Sequence, residues 1–130
     1  MSCVVRVQGQ AGSALLTGDI EAAQEAALLQ REGAALRSDV LQVPHHGSRT
    51  SSTAAFIDAV QPQVALVQAA YRSRFGHPAP DVVARYAERG VAVVRSDRCG
   101  AWEWRGDQAV GAVCAREQRR RYWHHRALPA

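Results

Sequence analysis

The 130-residue sequence contains no lysine; all sixteen of its basic residues are arginine. It is also poor in cysteine. Cys3, Cys99 and Cys114 are odd in number, widely spaced and form no C-x-x-C pair. That usage excludes a disulfide-built scaffold. It predicts reduced thiols, as in a reducing compartment or at least a fold that does not depend on oxidation. No run approaches the ~18 apolar residues that a membrane span needs. The N-terminus lacks the charged, apolar and small-residue layout of a secretory signal, so a soluble chain is expected. Internal repeats and low-complexity linkers are missing too, and collagen and coiled-coil readings fall with them.

What remains is the composition of an ordinary folded protein, 47% hydrophobic and 22% charged. A chain this short makes one domain or a piece of one, burying roughly two-thirds of its unfolded surface. The net charge of +4 is not spread evenly. Residues Ala115 to Ala130 hold Arg116, Arg119, Arg120, Arg121 and Arg126 against Glu117 alone, so the tail carries the entire excess and the body is neutral. A basic tail with Tyr122 and Trp123 among its charges suits nucleic-acid phosphates or anionic lipid. It is equally the composition of a solvated terminus.

Cys3 to Val7 and Ser13 to Thr17 read as two strands of a hairpin around the turn Gln8 to Gly12. Apolar positions Ile20, Ala23, Ala27 and Leu28 follow helical spacing from Ile20 to about Arg31, with Glu21 and Glu25 on the other face and Gly33 as the stop. Asp39 to Val43 is a strand closed by Pro44, followed by a polar loop from His45 to Thr53 and a short helix from Ala54 to Val60. The uniformly apolar Val64 to Val67 has the composition of a strand covered on both faces. Tyr71 to Pro80 is a loop, Asp81 to Arg89 a helix stopped by Gly90, and Val91 to Val94 a strand. Ala101 to Arg105 and Gln108 to Val113 predict a hairpin on a two-residue turn, Gly106-Asp107.

The order β-β-α-β-α-β-α-β-β-β predicts a parallel or mixed sheet with right-handed crossovers. Asp19, His45, His46 and His77 all follow strands, so they should gather on the carboxyl edge, where open α/β sheets place their ligand sites. Asp19 could instead cap the following helix. Adjacent histidines on extended backbone point in opposite directions, so one of the pair is expected to face a site. Gly47 gives the chain room to turn. Ser48, Thr50, Ser51, Ser52 and Thr53 offer hydroxyls at a helix start, either as caps or around an anion. Arg49, Arg72 and Arg74 lie on the same edge, and arginine suits bidentate phosphate contact. Imidazole and carboxylate together could bind Zn²⁺ or Mn²⁺ and generate hydroxide. Ser48 near His and Asp raises a nucleophilic triad, but no G-x-S-x-G elbow supports it. No G-x-G-x-x-G follows a strand, which argues against a dinucleotide site.

Three segments then stand together: Leu15-Leu-Thr-Gly-Asp19, Asp39-Val-Leu-Gln-Val-Pro-His-His-Gly-Ser-Arg-Thr-Ser-Ser52 and Arg74-Phe-Gly-His-Pro78. In this order and spacing they resemble the C-terminal half of a metallo-β-lactamase-fold domain, as found in the ComEC family of DNA-internalisation competence proteins. The strand Ser2 to Arg6 and the turn Arg95 to Gly100 also fit, and the resemblance covers roughly residues 2–106. It implies half of an αββα sandwich over residues 1–114, with a separate basic tail at 115–130. It implies metal ligation by Asp19 and by the His-His pair, His46 in preference to His45, and it implies His77 near the substrate; His77 and Ser48 are the candidate catalytic residues. The parent proteins are multi-pass inner-membrane proteins that import single-stranded DNA, and their domain of this kind is implied to be a nuclease.

The H-x-H-x-D-H metal motif of that fold is absent from this sequence, as is a membrane channel. The resemblance therefore implies a half-domain that lacks an N-terminal half and is inactive alone. The divalent metal, Zn²⁺ or Mn²⁺, belongs to the parent domain and need not be held by this fragment. Expected partners are DNA, preferentially single-stranded, the N-terminal half-domain and the membrane channel. A half sandwich bares a sheet face, and Trp102 and Trp104 share one side of their strand, so a homo-oligomer is expected as well. Three readings follow: a fragment of a metal-dependent DNA hydrolase, a non-catalytic nucleic-acid-binding module using Arg49, Arg72, Arg74 and the tail, or a structural remnant.

Overall fold

A computed structural model describes residues 1–106 and 113–123. Five strands form one sheet in the order β1 (Val5–Gln8), β2 (Ser13–Leu16), β3 (Val40–Gln42), β4 (Val64–Val67) and β5 (Ala92–Arg95). β1 and β2 are the expected antiparallel hairpin, while β2, β3, β4 and β5 join in parallel. The sheet is therefore mixed. The parallel strands are connected through α1 (Ala22–Glu32), α2 (Ala54–Val60) and α3 (Pro80–Ala87).

The register lines up Leu15, Leu41 and Ala65 across three strands. Neighbours in register project from the same face. These three are buried with Phe56, Ile57 and Val60 of α2 and with Val82 and Tyr86 of α3, and together they make the core. The opposite face is more open. Val64 and Leu66 are half-buried while Ala65 and Val67 are sealed, so β4 is not covered equally on both faces as its composition predicts. Further along that face Val5, Val7 and Leu16 stand exposed.

The first helix departs from its expected orientation. Its N-cap residue is Glu21, whose N–H donates to Gln24 Oε1 at 3.0 Å, so Asp19 does not serve as the cap. Ala23 and Ala27 are exposed, and the side chain that the helix buries is Glu25. Three donors hold that carboxylate: the Ser52 N–H at 2.6 Å, the Thr53 N–H at 2.9 Å and the Thr53 hydroxyl at 2.7 Å. They replace the water that burial removes. The periodicity of α1 alone could not show this, since the donors come from the start of α2.

A second, two-stranded sheet pairs β6 (Trp102–Glu103) with β7 (Val113–Cys114). A two-residue turn at Gly106-Asp107 would set Glu103 opposite Val110, whereas the pairing sets it opposite Val113. Residues 107–112 of the connection lie outside the described residues, as does Arg126. Short helical turns, α4 (Ser96–Cys99) and α5 (Ala115–Gln118), flank this ribbon. Cys99 and Cys114 form a disulfide with a Cα–Cα distance of 4.7 Å, and Cys3 is free and exposed. This corrects the expectation of reduced thiols throughout. Opposition of Trp102 to Cys114 across the ribbon returns the chain to Cys99, which spacing in the sequence cannot reveal. Arg116 reinforces the join by donating to the Asp97 carbonyl at 2.7 Å. Among the described residues no helix is long and apolar enough to cross a membrane.

Candidate metal and nucleic-acid site

Parallel pairing sends the segments after β2, β3, β4 and β5 out of the same sheet edge, and backbone hydrogen bonds lace them together. The His45 N–H donates to the Gly18 carbonyl at 3.0 Å, tying the third strand's loop to the second's. The Ala79 N–H donates to the Gly47 carbonyl at 2.9 Å, tying in the loop after β4. Ser96, just past β5, accepts from the Ala69 N–H at 2.8 Å.

The loop Pro44–Gly47 is tightly wound. His45 and His46 both occupy the left-handed region, with φ of 50° and 55°. Side chains other than glycine's are strained there by about 1–2 kcal/mol each, and such strain persists only where surrounding bonds impose it. Gly47 follows at φ +79°, and a Cβ on it would come within 2.6 Å of the Pro78 Cβ. Pro78, preceded by a cis peptide, packs closely over Gly47, and the His77 ring lies 6.1 Å from that of His45.

Two clusters result. His46 Nδ1 lies 2.8 Å from the Gln68 carbonyl oxygen. A carbonyl only accepts, so Nδ1 carries the hydrogen, and in the neutral ring Nε2 keeps the lone pair. That Nε2 is 3.5 Å from Asp19 Oδ1, and both side chains are about half exposed. An imidazole fixed by a carbonyl on one nitrogen and offering the other beside a carboxylate is the usual arrangement of a metal-binding histidine. In the second cluster His45 Nδ1 is buried and lies 3.2 Å from Glu21 Oε1, though without hydrogen-bonding geometry. Glu21 also accepts from the Thr50 hydroxyl at 3.1 Å.

The fold therefore places Asp19 with His46, and His45 with Glu21 and His77. Ser48 is buried, and its hydroxyl is engaged with the Thr50 hydroxyl at 3.1 Å. Arg49 is exposed and pairs with Asp81 at 3.3 Å. Arg72 and Arg74 stand on the loop after β4, their guanidinium carbons 5.2 Å and 4.9 Å from the Tyr71 and Phe75 ring centroids. Sequence reasoning singled out neither Glu21 nor Gln68 for this edge. Glu21 could have been found as the first carboxylate after Asp19, whereas the Gln68 carbonyl is a backbone group and leaves no signal.

Asp19 and His46 are donors of the right kind for Zn²⁺ or Mn²⁺, but a closed site takes three or four protein ligands. Among the described residues no group of three His, Cys, Asp or Glu is arranged to hold a metal ion.

No family model matches the chain. It is 37% identical over 103 residues to Competence protein ComA of Neisseria gonorrhoeae, covering 79% of this chain and 15% of that protein. It is 44% identical over 89 residues to the uncharacterized protein YcaI of Escherichia coli K12, covering 68% and 12%. To ComE operon protein 3 of Bacillus subtilis 168 it is 33% identical over 97 residues, covering 75% and 12%. The chain thus has homologues among competence-related proteins and spans 12% to 15% of the length of these three relatives.

Proposed function

We propose that this chain is part of the DNA-processing domain of a competence protein for DNA uptake, with the metallo-β-lactamase-like fold of the ComEC family. The observation that carries the reading is the Asp19–His46 pair, oriented by the Gln68 carbonyl on the carboxyl edge of the sheet. In the parent domain, a metal-dependent nuclease on this reading, Asp19 and His46 supply two ligands and the others come from outside this segment. With a metal bound there, the centre would supply a water of lowered pKa and a charge that polarises a phosphoryl oxygen. On this reading the chain alone is inactive in hydrolysis. Arg49, Arg72 and Arg74 hold the phosphate backbone of the DNA, and His77 stands beside it. Residues 1–114 form the half-domain and 115–130 its basic tail. The Cys99–Cys114 disulfide supports an oxidising location for the domain.

The test is transformation by added DNA in the host, with Asp19→Ala or His46→Ala placed in the full-length protein. Transformation is expected to fall to the level of a strain lacking the gene while the protein accumulates normally. Unchanged transformation in both variants contradicts the proposal. Among the described residues no third donor joins Asp19 and His46, which favours a second reading, a non-catalytic nucleic-acid-binding module. Under it, DNA binding falls steeply with salt and ignores chelator.

A further inference from the structure

Phe75 is 69% exposed although large aromatic rings ordinarily contribute to cores. A tight turn presents it: the Gly76 N–H donates to the Ser73 carbonyl at 3.1 Å, and the Phe75 N–H to the Ser73 hydroxyl at 3.3 Å. On one side the Arg74 guanidinium lies 4.9 Å from the ring centroid. The His77 ring lies 5.9 Å away at an interplanar angle of 30°. His77 in turn lies 6.1 Å, ring to ring, from His45, so Phe75 begins a row of rings that reaches the His45–Glu21 cluster.

We propose that Phe75 is a stacking platform for an unpaired nucleobase, with Arg74 and Arg72 holding the flanking phosphates. The inference deepens the proposed function and rests on its claim that this edge meets DNA. An aromatic face accepts any base, because every base has a π-face, and arginine adds a cation–π contribution. A duplex has its base faces covered by their own neighbours. The platform therefore selects single strands without reading sequence, and it sets the strand's register relative to His77 and His45.

The test is fluorescence anisotropy of the whole chain with three labelled probes: a single strand, the same strand in a duplex, and a strand whose nucleotides are abasic. Phe75→Ala is expected to weaken binding of the single strand about five- to a hundredfold. It should leave the abasic strand, the duplex and the salt dependence unchanged, and Phe75→Trp should restore affinity. Because the side chain is exposed, the fold should tolerate both changes, as a circular dichroism melt checks. Equal weakening on all three probes, or none on any, overturns the platform. Steep salt dependence in that case would leave the DNA reading standing. Failure to bind any probe overturns both.

Discussion

His45, His46 and Gly47 form three consecutive residues at positive φ, and the cost of that geometry is measurable at Gly47. Gly47→Ala adds a Cβ in contact with Pro78 to a left-handed backbone, so a loss of roughly 2–3 kcal/mol is expected in urea unfolding. Gly76 offers the control, since it has φ +66° but nothing within 4 Å of a built Cβ. Gly76→Ala should cost only about 1 kcal/mol. Comparable losses at the two positions would show that the Pro78 contact does not constrain the loop. Glu25 is the other critical residue. Glu25→Ala leaves the Ser52 and Thr53 donors buried without a partner and should cost roughly 3 kcal/mol or more. A loss under about 1 kcal/mol, the usual effect of an exposed helix substitution, would contradict its role. The two cases differ in legibility. The histidines and Asp19 stand directly after apolar strands, and their chemistry is plain in the sequence. Glu25 looks like a solvent-facing helix residue, because burial of a carboxylate is decided by donors distant in the chain.

At the scale of elements, the ribbon β6–β7 depends on the bond from Cys99 to Cys114, which are separated by 15 residues. Closing a loop of that length restricts the unfolded chain by about 3 kcal/mol. The double variant Cys99→Ser, Cys114→Ser should lose stability of that order, and reducing the wild type should mimic it. A melting temperature indifferent to reductant would contradict the bond's contribution. Helix α3 makes a different prediction through Tyr86, fully buried with its hydroxyl 3.0 Å from the Ser52 hydroxyl. Burial pushes that phenol well above its ordinary value of 10.0; the Ser52 hydrogen bond opposes the shift, and nearby Glu25 adds to it. Below pH ~10 the tyrosine is neutral in both states, and its full contribution is present. Above that, the unfolded chain releases the proton and the folded chain does not, so stability should fall by up to about 1.4 kcal/mol per pH unit. Tyr86→Phe should flatten the decline seen in urea midpoints between pH ~9 and ~11. An identical slope in the variant would remove Tyr86 as its source. Strands and helices were legible from apolar runs punctuated by Gly and Pro. The ribbon's register was not, because two short pairs of residues carry too little pattern to fix it.

Across the whole molecule, the alternation of strand and helix was enough to place Asp19, His45, His46 and His77 on one edge. The parallel pairing of β2 through β5 explains why. What alternation cannot give is how the four divide, which the Gln68 carbonyl and the Glu21 carboxylate decide. The less covered sheet face, with Val5, Val7 and Leu16 exposed, belongs to this scale as well. On the proposed function, the edge supplies Asp19 and His46 as two ligands of a metal centre. Long-range proton–nitrogen NMR of the imidazole rings during a Zn²⁺ titration tests it most directly. The expected result is His46 as the Nδ1–H tautomer in the free chain, and a Zn²⁺-dependent shift at His46 Nε2 that disappears in Asp19→Ala. A His46 ring unmoved by Zn²⁺, or shifted identically without the Asp19 carboxylate, would contradict it.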